Sequence, residues 1–111
     1  MKKIMLAAAM TAAVFASSVA TARAEWPNDR PIRLLVGFGA GGGTDIVARI
    51  IAQPLSELLH QSIVVENKPG AGGTIASNDV AKAAKDGYTA TMISTGHTIS
   101  AVMLKAQPYD A

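Results

Sequence analysis

Apolar and polar positions along the chain fall into blocks that predict strands alternating with helices. Residues 32–38 form a near-continuous apolar run, which is typical of a strand buried on both faces of a sheet. Shorter runs at residues 62–66 and 88–94 predict a second and a third strand. Since the segments between these runs have helical patterns, the order favours an α/β fold with three parallel strands and right-handed crossover helices.

The first predicted helix starts after Gly43, and Thr44 or Asp45 is expected to cap it. Its apolar residues recur every three to four positions, and we expect this stripe to face the sheet. The stripe consists of Ile46, Val47, Ile50, Ile51, Leu55, Leu58 and Leu59.

A second helix is predicted at residues 74–84, and its inward residues are expected to be Ile75, Val80 and Ala81. A shorter third helix is a candidate at residues 99–105.

The first 24 residues have the organisation of an export signal. Lys2 and Lys3 precede an apolar stretch at residues 4–16, and Ala22-Arg23-Ala24 fits the small-x-small cleavage pattern. We therefore expect residues 1–24 to be a signal peptide that is cleaved after Ala24, and the protein to be periplasmic. The mature part, residues 25–111, makes one small domain at most.

Charge and composition exclude several function classes. Three of the ten Lys and Arg residues lie in residues 1–24, so seven remain against eight Asp and Glu, and the net charge changes from +2 to −1. Such a chain lacks the clustered basic face that nucleic-acid binding requires. There is no Cys, and two isolated His residues indicate no metal site, so we expect neither a metal nor another cofactor.

Two glycine loops follow the first two predicted strands, and each leads into a helix. In open α/β sheets ligands bind at the carboxyl ends of the strands, where helix N-termini favour anions. Two such cradles in one cleft would suit a dicarboxylate. Alternatively, the loops are ordinary tight turns between strand and helix. The candidate ligand-binding residues are Gly41, Gly42, Gly43, Thr44, Gly70, Ala71, Gly72, Gly73 and Thr74.

Polar side chains near these loops are further candidates. Asp45 fits a ligand contact, a catalytic acid or a helix cap, and the cap is the commonest role of Asp at a helix start. His97 follows the third strand beside Ser94 and Thr95, where it can donate a hydrogen bond to a ligand carboxylate. A Ser/His catalytic pair is also conceivable there, but no third partner or nucleophile elbow is visible, so we do not expect an enzyme.

A dinucleotide-binding oxidoreductase is the alternative function. Residues 37–42 match G-x-G-x-x-G after a strand, and Glu66 ends the next strand at roughly the right spacing. Against it, Gly37 is expected inside the strand, the helix begins only after Gly43, and export removes the protein from the cytoplasmic nicotinamide pool.

Taken together, several motifs resemble the Bug-type family, the substrate-binding proteins of tripartite tricarboxylate transporters. They cover essentially all of residues 25–111 and include Trp26-Pro27, Val36-Gly37-Phe38, Gly41-Gly42-Gly43-Thr44-Asp45, Val64-Val65-Glu66-Asn67-Lys68-Pro69-Gly70-Ala71-Gly72-Gly73 and Asp86-Gly87-Tyr88-Thr89.

The resemblance implies a periplasmic, two-lobed protein that binds a small carboxylate between its lobes and delivers it to membrane subunits of a transporter. It also implies that the ligand is contacted mainly by main-chain groups and ordered water at three loops, which correspond here to residues 41–45, 70–74 and 94–97. Members of the family commonly have Gly where His60 stands. They are usually roughly three times longer, with a second lobe. We therefore expect residues 25–111 to be the N-terminal part of the first lobe, with the second lobe absent.

Overall fold

The protein is described from a computed structural model, which covers residues 25–106, 108 and 109. The predicted signal peptide therefore lies outside the described residues. The strands are β1 (Ile32–Val36), β2 (Ile63–Asn67) and β3 (Thr89–Met92). The helices are α1 (Gly43–Leu59), α2 (Thr74–Lys82) and α3 (Thr95–Met103), and a 3₁₀ turn, Ala71–Gly73, leads into α2.

The three strands form one parallel sheet in the order β2-β1-β3, which confirms the predicted architecture. The chain steps from β1 to β2 on one side and then returns past β1 to β3. With right-handed crossovers, this reversal places α1 and α2 on opposite faces of the sheet. It also creates a topological switch point between the carboxyl ends of β1 and β3, where α/β proteins bind ligands.

The core is small and is centred on β1. Leu35 and Val36 are fully buried, since β1 has a strand on either side and a helix above and below it. Alanines complete the packing from both faces, with Ala48 and Ala52 on α1 and Ala76 on α2. This burial of the central strand agrees with its near-continuous apolar sequence.

The expected inward stripe of α1 is wrong. The buried residues of α1 are Asp45, Ala48 and Ala52, whereas the large apolar residues Ile50 and Leu58 are 66% and 78% exposed. Ile46, Val47, Ile51 and Leu55 are also exposed. Periodicity identified the apolar positions, but small side chains are the ones that let the helix approach the sheet, so the helix is turned toward its alanines.

The bounds of several elements, and the buried face of α2, also differ from the predictions. β1 ends at Val36, so Gly37 follows the strand rather than lying inside it. In α2 the buried residues are Thr74, Ala76 and Ser77, whereas Ile75, expected to face inward, is 48% exposed. Helix α3 begins at Thr95, four residues before the predicted start, so it follows β3 almost directly.

Helix α1 ends at Leu59, and His60 is its C-cap, at the position where the family that the sequence resembles commonly has Gly. His60 adopts the left-handed conformation with φ 50°, and its N–H contacts the carbonyl oxygen of Glu57. A side chain is disfavoured in this conformation, which explains why glycine is frequent at such ends. Among the described helices, none is both long enough and apolar enough to span a membrane.

Candidate functional site

Three helix N-termini lie at the carboxyl edge of the sheet, one after each strand. Their N-cap residues are Gly42 for α1, Gly73 for α2 and Ser94 for α3, and none of them makes a side-chain capping hydrogen bond. The first N–H groups of a helix have no partner within the helix, and together with the helix dipole they attract anions. The edge thus offers backbone donors from three directions. We number the connections into α1, α2 and α3 as loop 1 (residues 37–42), loop 2 (residues 68–73) and loop 3 (residues 93–94).

Loop 2 closely approaches loop 1 and the first turn of α3 at two glycines. A β-carbon placed on Gly37 would lie 2.6 Å from the Cα atom of Gly73, so loops 1 and 2 are in backbone contact. A β-carbon on Gly96, in the first turn of α3, would lie 3.3 Å from the carbonyl oxygen of Gly72. Close approach of this kind is a recognised use of glycine, and here it makes one continuous surface from loop 2 to its two neighbours.

Asp45 lies at the centre of a hydrogen-bonded network beneath loop 1. Asp45 is 2% exposed, and its carboxylate accepts the N–H of Gly41 at 2.9 Å. The Nε of Arg49 donates to both oxygens at 3.0 and 3.1 Å, and the amide of Asn67 donates at 2.9 Å. The expectation that Thr44 or Asp45 caps α1 is wrong, since the N-cap is Gly42 and no side chain caps the helix. The Asp45 carboxylate reaches back instead to the N–H of Gly41, the residue before the N-cap.

These partners hold the pKa of Asp45 well below its ordinary value. The hydrogen bond from Arg49 is the largest cause, followed by the Gly41 N–H and the Asn67 amide, and the pKa is lowered from 3.8 to about 2. The carboxylate is therefore ionised at neutral pH, and the guanidinium of Arg49 balances its charge.

Thr74 and His97 contribute polar groups on the α2 side of this edge. Thr74 begins α2 and is 7% exposed, and its hydroxyl oxygen has no hydrogen-bond partner among the described residues. The Nδ1 atom of His97 lies 3.1 Å from the hydroxyl of Ser77 and 3.2 Å from that of Tyr109. The rings of His97 and Tyr109 are stacked. Buried or half-buried polar groups thus continue the surface from loop 2 toward α3.

The space at this edge has two parts. A cavity of about 10 Å³ lies among Gly37, Phe38, Gly73, Ser94 and His97, and this is close to the smallest volume that holds one water molecule. Beside it, an open groove of about 310 Å³ is lined by Ser77, Thr91, His97 and Tyr109 among others. A carboxylic acid fits the open groove and the exposed loops, whereas the enclosed cavity has room for water only. A larger depression of about 350 Å³ lies elsewhere, between α1 and the β2 edge.

The structure brings some of the predicted site residues together and separates others. Loop 2 and His97 lie around the small cavity, as expected from the topology. Gly41 and Gly43 are exposed, and β-carbons placed on them would meet no atom within 4 Å, so this part of loop 1 is open. Thr44 is half-buried and Thr95 is exposed.

Sequence reasoning missed four side chains: Arg49, Asn67, Ser77 and Tyr109. Arg49 lies four residues after Asp45 on the same helix, which is a spacing that predicts an ion pair. Ser77 lies three residues after Thr74, on the same side of α2. Asn67 is the register partner of Val36 at the end of β2, so only the sheet register reveals that its side chain lies near Phe38.

Glu66, the acidic residue that a dinucleotide site would need, is paired with Arg33. Arg33 donates two hydrogen bonds to the carboxylate of Glu66, at 2.7 and 2.8 Å. This pairing lowers the pKa of Glu66, chiefly through the hydrogen bond from Arg33. In the part of the chain that the structure describes, no group of three or more His, Asp or Glu residues has the arrangement of a metal site.

Comparison with known proteins gives a consistent result. The family model described as tripartite tricarboxylate transporter family receptor matches residues 47–111. A UPF0065 protein of Bordetella bronchiseptica is 43% identical over 102 residues, which are 88% of this chain and 30% of that protein. The chain therefore spans about a third of the length of this relative.

Solved structures of similar proteins point to the same family. The structure of a periplasmic transporter aligns with a TM-score of 0.70 at 42% identity, covering 77% of this chain and 29% of the other. The structure of R. palustris Rpa4515 with adipate aligns with a TM-score of 0.57 at 48% identity, covering 60% of this chain and 22% of the other. The chain therefore belongs to the tripartite tricarboxylate transporter receptor family, whose members are periplasmic solute-binding proteins.

Proposed function

We propose that this chain is the solute-binding component, or the first part of one, of a tripartite tricarboxylate-type transporter. It binds a small carboxylate through backbone groups of its glycine loops and passes it to membrane subunits. In this proposal it is exported to the periplasm, is cleaved after Ala24, and carries out no catalysis. Its proposed ligand-binding residues lie in the three loops and in the first turns of the helices that follow them. They run from Gly41 to Asp45 and from Gly70 to Thr74, and include Ser94, Thr95 and His97.

The observation that carries the proposal is the meeting of three helix N-termini without side-chain caps at one edge of the sheet. A carboxylate there exchanges its water shell for N–H groups that are already oriented, and the helix dipoles favour its charge. The buried hydroxyl of Thr74, which has no partner among the described residues, adds a donor at the start of α2. The bound adipate of the R. palustris relative is a dicarboxylate, the class of ligand that two cradles suit.

The dinucleotide-dependent oxidoreductase remains as a second candidate because of the G-x-G-x-x-G match. Gly37 directly follows β1, which fits that motif better than the expected place inside the strand. However, Glu66, the acid that would bind the ribose, is held by Arg33 on the sheet face. The carboxylate proposal needs no such free acid.

We further propose that residues 25–111 form the N-terminal part of the first lobe of a two-lobed protein. The relatives are about three times as long as the matched region, and a solute-binding protein of this type closes two lobes on its ligand. One lobe supplies part of the contacts and leaves the ligand in water. Binding by this chain alone is accordingly expected to be weak, in the millimolar range of about 4 kcal/mol rather than the micromolar range.

The test is a titration of the 15N-labelled chain with adipate, citrate and NADH in separate experiments, followed by NMR. We expect adipate or citrate to shift the backbone amides of Gly41, Gly72 and Thr95 in a saturable way, while NADH leaves them unchanged. Acetamide, which is uncharged, serves as the control ligand.

Saturable shifts with NADH alone would support the oxidoreductase. An absence of shifts with every carboxylate would contradict binding by this chain. Micromolar affinity for adipate would instead contradict the need for a second lobe.

A further inference from the structure

Asp45, Arg49 and Asn67 form a closed ring of hydrogen bonds between loop 1 and the end of β2. Arg49 donates to Asp45 through Nε, Asn67 donates to Asp45 through its amide nitrogen, and Arg49 also donates to the amide oxygen of Asn67 at 3.1 Å. Each of the three side chains thus contacts the other two. A ring of this kind fixes three rotamers at once, so its members have one arrangement relative to the backbone.

Both ends of loop 1 are tied to this ring. The Asp45 carboxylate accepts the N–H of Gly41, whose φ of +82° is accessible mainly to glycine. The Asn67 amide also donates to the carbonyl oxygen of Phe38, at 3.1 Å. Since Phe38 and Gly41 lie near the two ends of the loop, the ring sets the course of loop 1.

The same ring includes the residue that precedes loop 2. Asn67 is the last residue of β2, and loop 2 begins with the next residue, Lys68. The N–H of Lys68 donates to the carbonyl oxygen of Val36 at 2.8 Å. Farther along, loop 2 touches loop 1 again at the close approach of Gly73 to Gly37. The two loops are therefore joined both at the ring and at a backbone contact.

The ring also removes the electrostatic obstacle that a carboxylate would present to an anion. An acidic side chain beside the first turn of α1 would repel a second carboxylate. Here Arg49 is placed against Asp45, and all four hydrogen bonds to the carboxylate come from within the ring or from loop 1. The negative charge of Asp45 is balanced inside the protein by Arg49. The N–H of Gly42 donates to the carbonyl oxygen of Gly39 at 3.2 Å, and Gly43, the first residue of α1, is exposed.

We propose that Asp45, with Arg49 and Asn67, is a positioning residue, which holds the two glycine loops in the arrangement that binds a carboxylate. This inference rests on the proposed function. Asp45 then acts on the ligand through the backbone of loop 1 rather than by contact, and this refines its place among the proposed site residues.

The test uses Asp45→Asn, which keeps the shape of the side chain but places an NH₂ group against other donors. Asp86→Asn is the matched control, because Asp86 also accepts a backbone N–H, that of Tyr88 at 3.0 Å, and pairs with Arg30, but at the opposite edge of the sheet. Amide hydrogen exchange and 15N chemical shifts of the apo chain are measured for each variant, and adipate is then titrated.

In Asp45→Asn we expect the Gly41 amide to exchange at least about tenfold faster and the loop 2 glycine resonances to move, because a lost hydrogen bond to a charged group has an effect of this size. The adipate affinity should fall by about tenfold or more. Asp86→Asn should lower the stability while leaving the signals of Gly41 and the loop 2 glycines, and the adipate affinity, unchanged.

The combined variant Asp45→Asn with Asn67→Asp restores one carboxylate and one amide to the ring. We expect it to recover part of the Gly41 protection, which a loss of general stability would not do. If Asp45→Asn does not fold, Arg49→Gln tests the same ring, because the Arg49 side chain is half exposed.

Loop signals in Asp45→Asn that match those of the parent chain, or that change only as in Asp86→Asn, would overturn the positioning role. Failure of the parent chain to bind adipate would contradict the proposed function instead, and the exchange rates of the apo chain would still decide the role of Asp45.

Discussion

The amino and carboxyl edges of the sheet, where the strands begin and end, carry different kinds of residue. At the amino edge, large side chains close the structure: Trp26 and Tyr88 pack edge to face with centroids 6.5 Å apart, and the Arg30 guanidinium lies 4.8 Å from the centre of the Tyr88 ring. At the carboxyl edge the surface consists of glycine loops and helix N-termini, with a buried polar ring beneath them.

This difference follows from what each edge has to do. Aromatic side chains fill space and bury apolar area, so they stabilise the end of a small core. A surface that binds an anion through its backbone must instead keep side chains away from the N–H groups, and it then has little packing of its own. We therefore expect changes at the amino edge to alter mainly the stability, and changes at the carboxyl edge to alter the arrangement of the loops.

The largest expected effect comes from Gly37→Ala, at the contact between loops 1 and 2. The added β-carbon would meet the Gly73 backbone at 2.6 Å, so loop 2 must move. Overpacking of this kind lowers the free energy of unfolding by about 1–3 kcal/mol. Urea denaturation gives the stability, and the adipate titration should show weaker binding.

Gly39→Ala is the matched control, since a β-carbon on Gly39 meets no atom within 4 Å. Its stability should stay within about 0.5 kcal/mol of the parent chain. Equal stability of the two alanine variants would show that loops 1 and 2 do not touch, and the contrast between the edges would lose its structural basis.

The sheet could be predicted from the sequence, whereas the orientation of α1 could not. The apolar run at residues 32–38 identifies β1 as a strand buried on both faces, because helices cover both faces of a parallel sheet. On α1 the periodic apolar residues suggested the wrong inner face. Ala48 and Ala52 are buried in their place, and hydrophobicity alone does not say that a helix packs through its smallest residues.

For the candidate site, the backbone was easier to predict than the side chains. Glycine loops after parallel strands lie at the carboxyl edge in any such fold, so their position follows from the order of elements. The ring of Asp45, Arg49 and Asn67 depends on the register that pairs Val36 with Asn67. A shift of one residue would turn Asn67 to the other face, and no local pattern in the sequence specifies this register.

An intermediate effect is expected for Tyr88→Phe at the amino edge. The Tyr88 hydroxyl accepts the N–H of Asp29 at 3.1 Å, and its loss should lower the free energy of unfolding by about 1 kcal/mol. The adipate affinity should stay unchanged, because Tyr88 lies at the far end of the sheet.

Tyr109→Phe makes the same chemical change at the carboxyl edge. It removes the hydroxyl contact with Nδ1 of His97, so the His97 ring resonances should move while the stability changes less than in Tyr88→Phe. A reduced adipate affinity in Tyr88→Phe would break the separation between an edge for stability and an edge for binding.

The smallest effect is expected for Glu66→Gln, which removes a partly exposed carboxylate and is compared with the buried carboxylate of Asp45. The Arg33–Glu66 pair is partly exposed on both sides, so Glu66→Gln should lower the stability at neutral pH by less than about 1 kcal/mol, and by still less at high salt. Because the folded pKa of Glu66 is lowered, this contribution is full above the ordinary value of 4.5 and is lost as the pH falls through the folded value.

Asp45 should behave in the same direction but over a more acidic range, since its pKa is lowered from 3.8 to about 2. Urea unfolding of the parent chain, Glu66→Gln and Asp45→Asn at about pH 7 and about pH 3 measures both differences. The stability difference between the parent chain and Glu66→Gln should begin to shrink as the pH falls below 4.5. The difference from Asp45→Asn should begin to shrink only below 3.8, should be partly retained at about pH 3, and should be lost as the pH falls through about 2. If both stability differences disappear over the same pH range, the ring does not lower the pKa of Asp45 further than a surface ion pair would. The ring is then not the rigid support that the carboxyl edge requires.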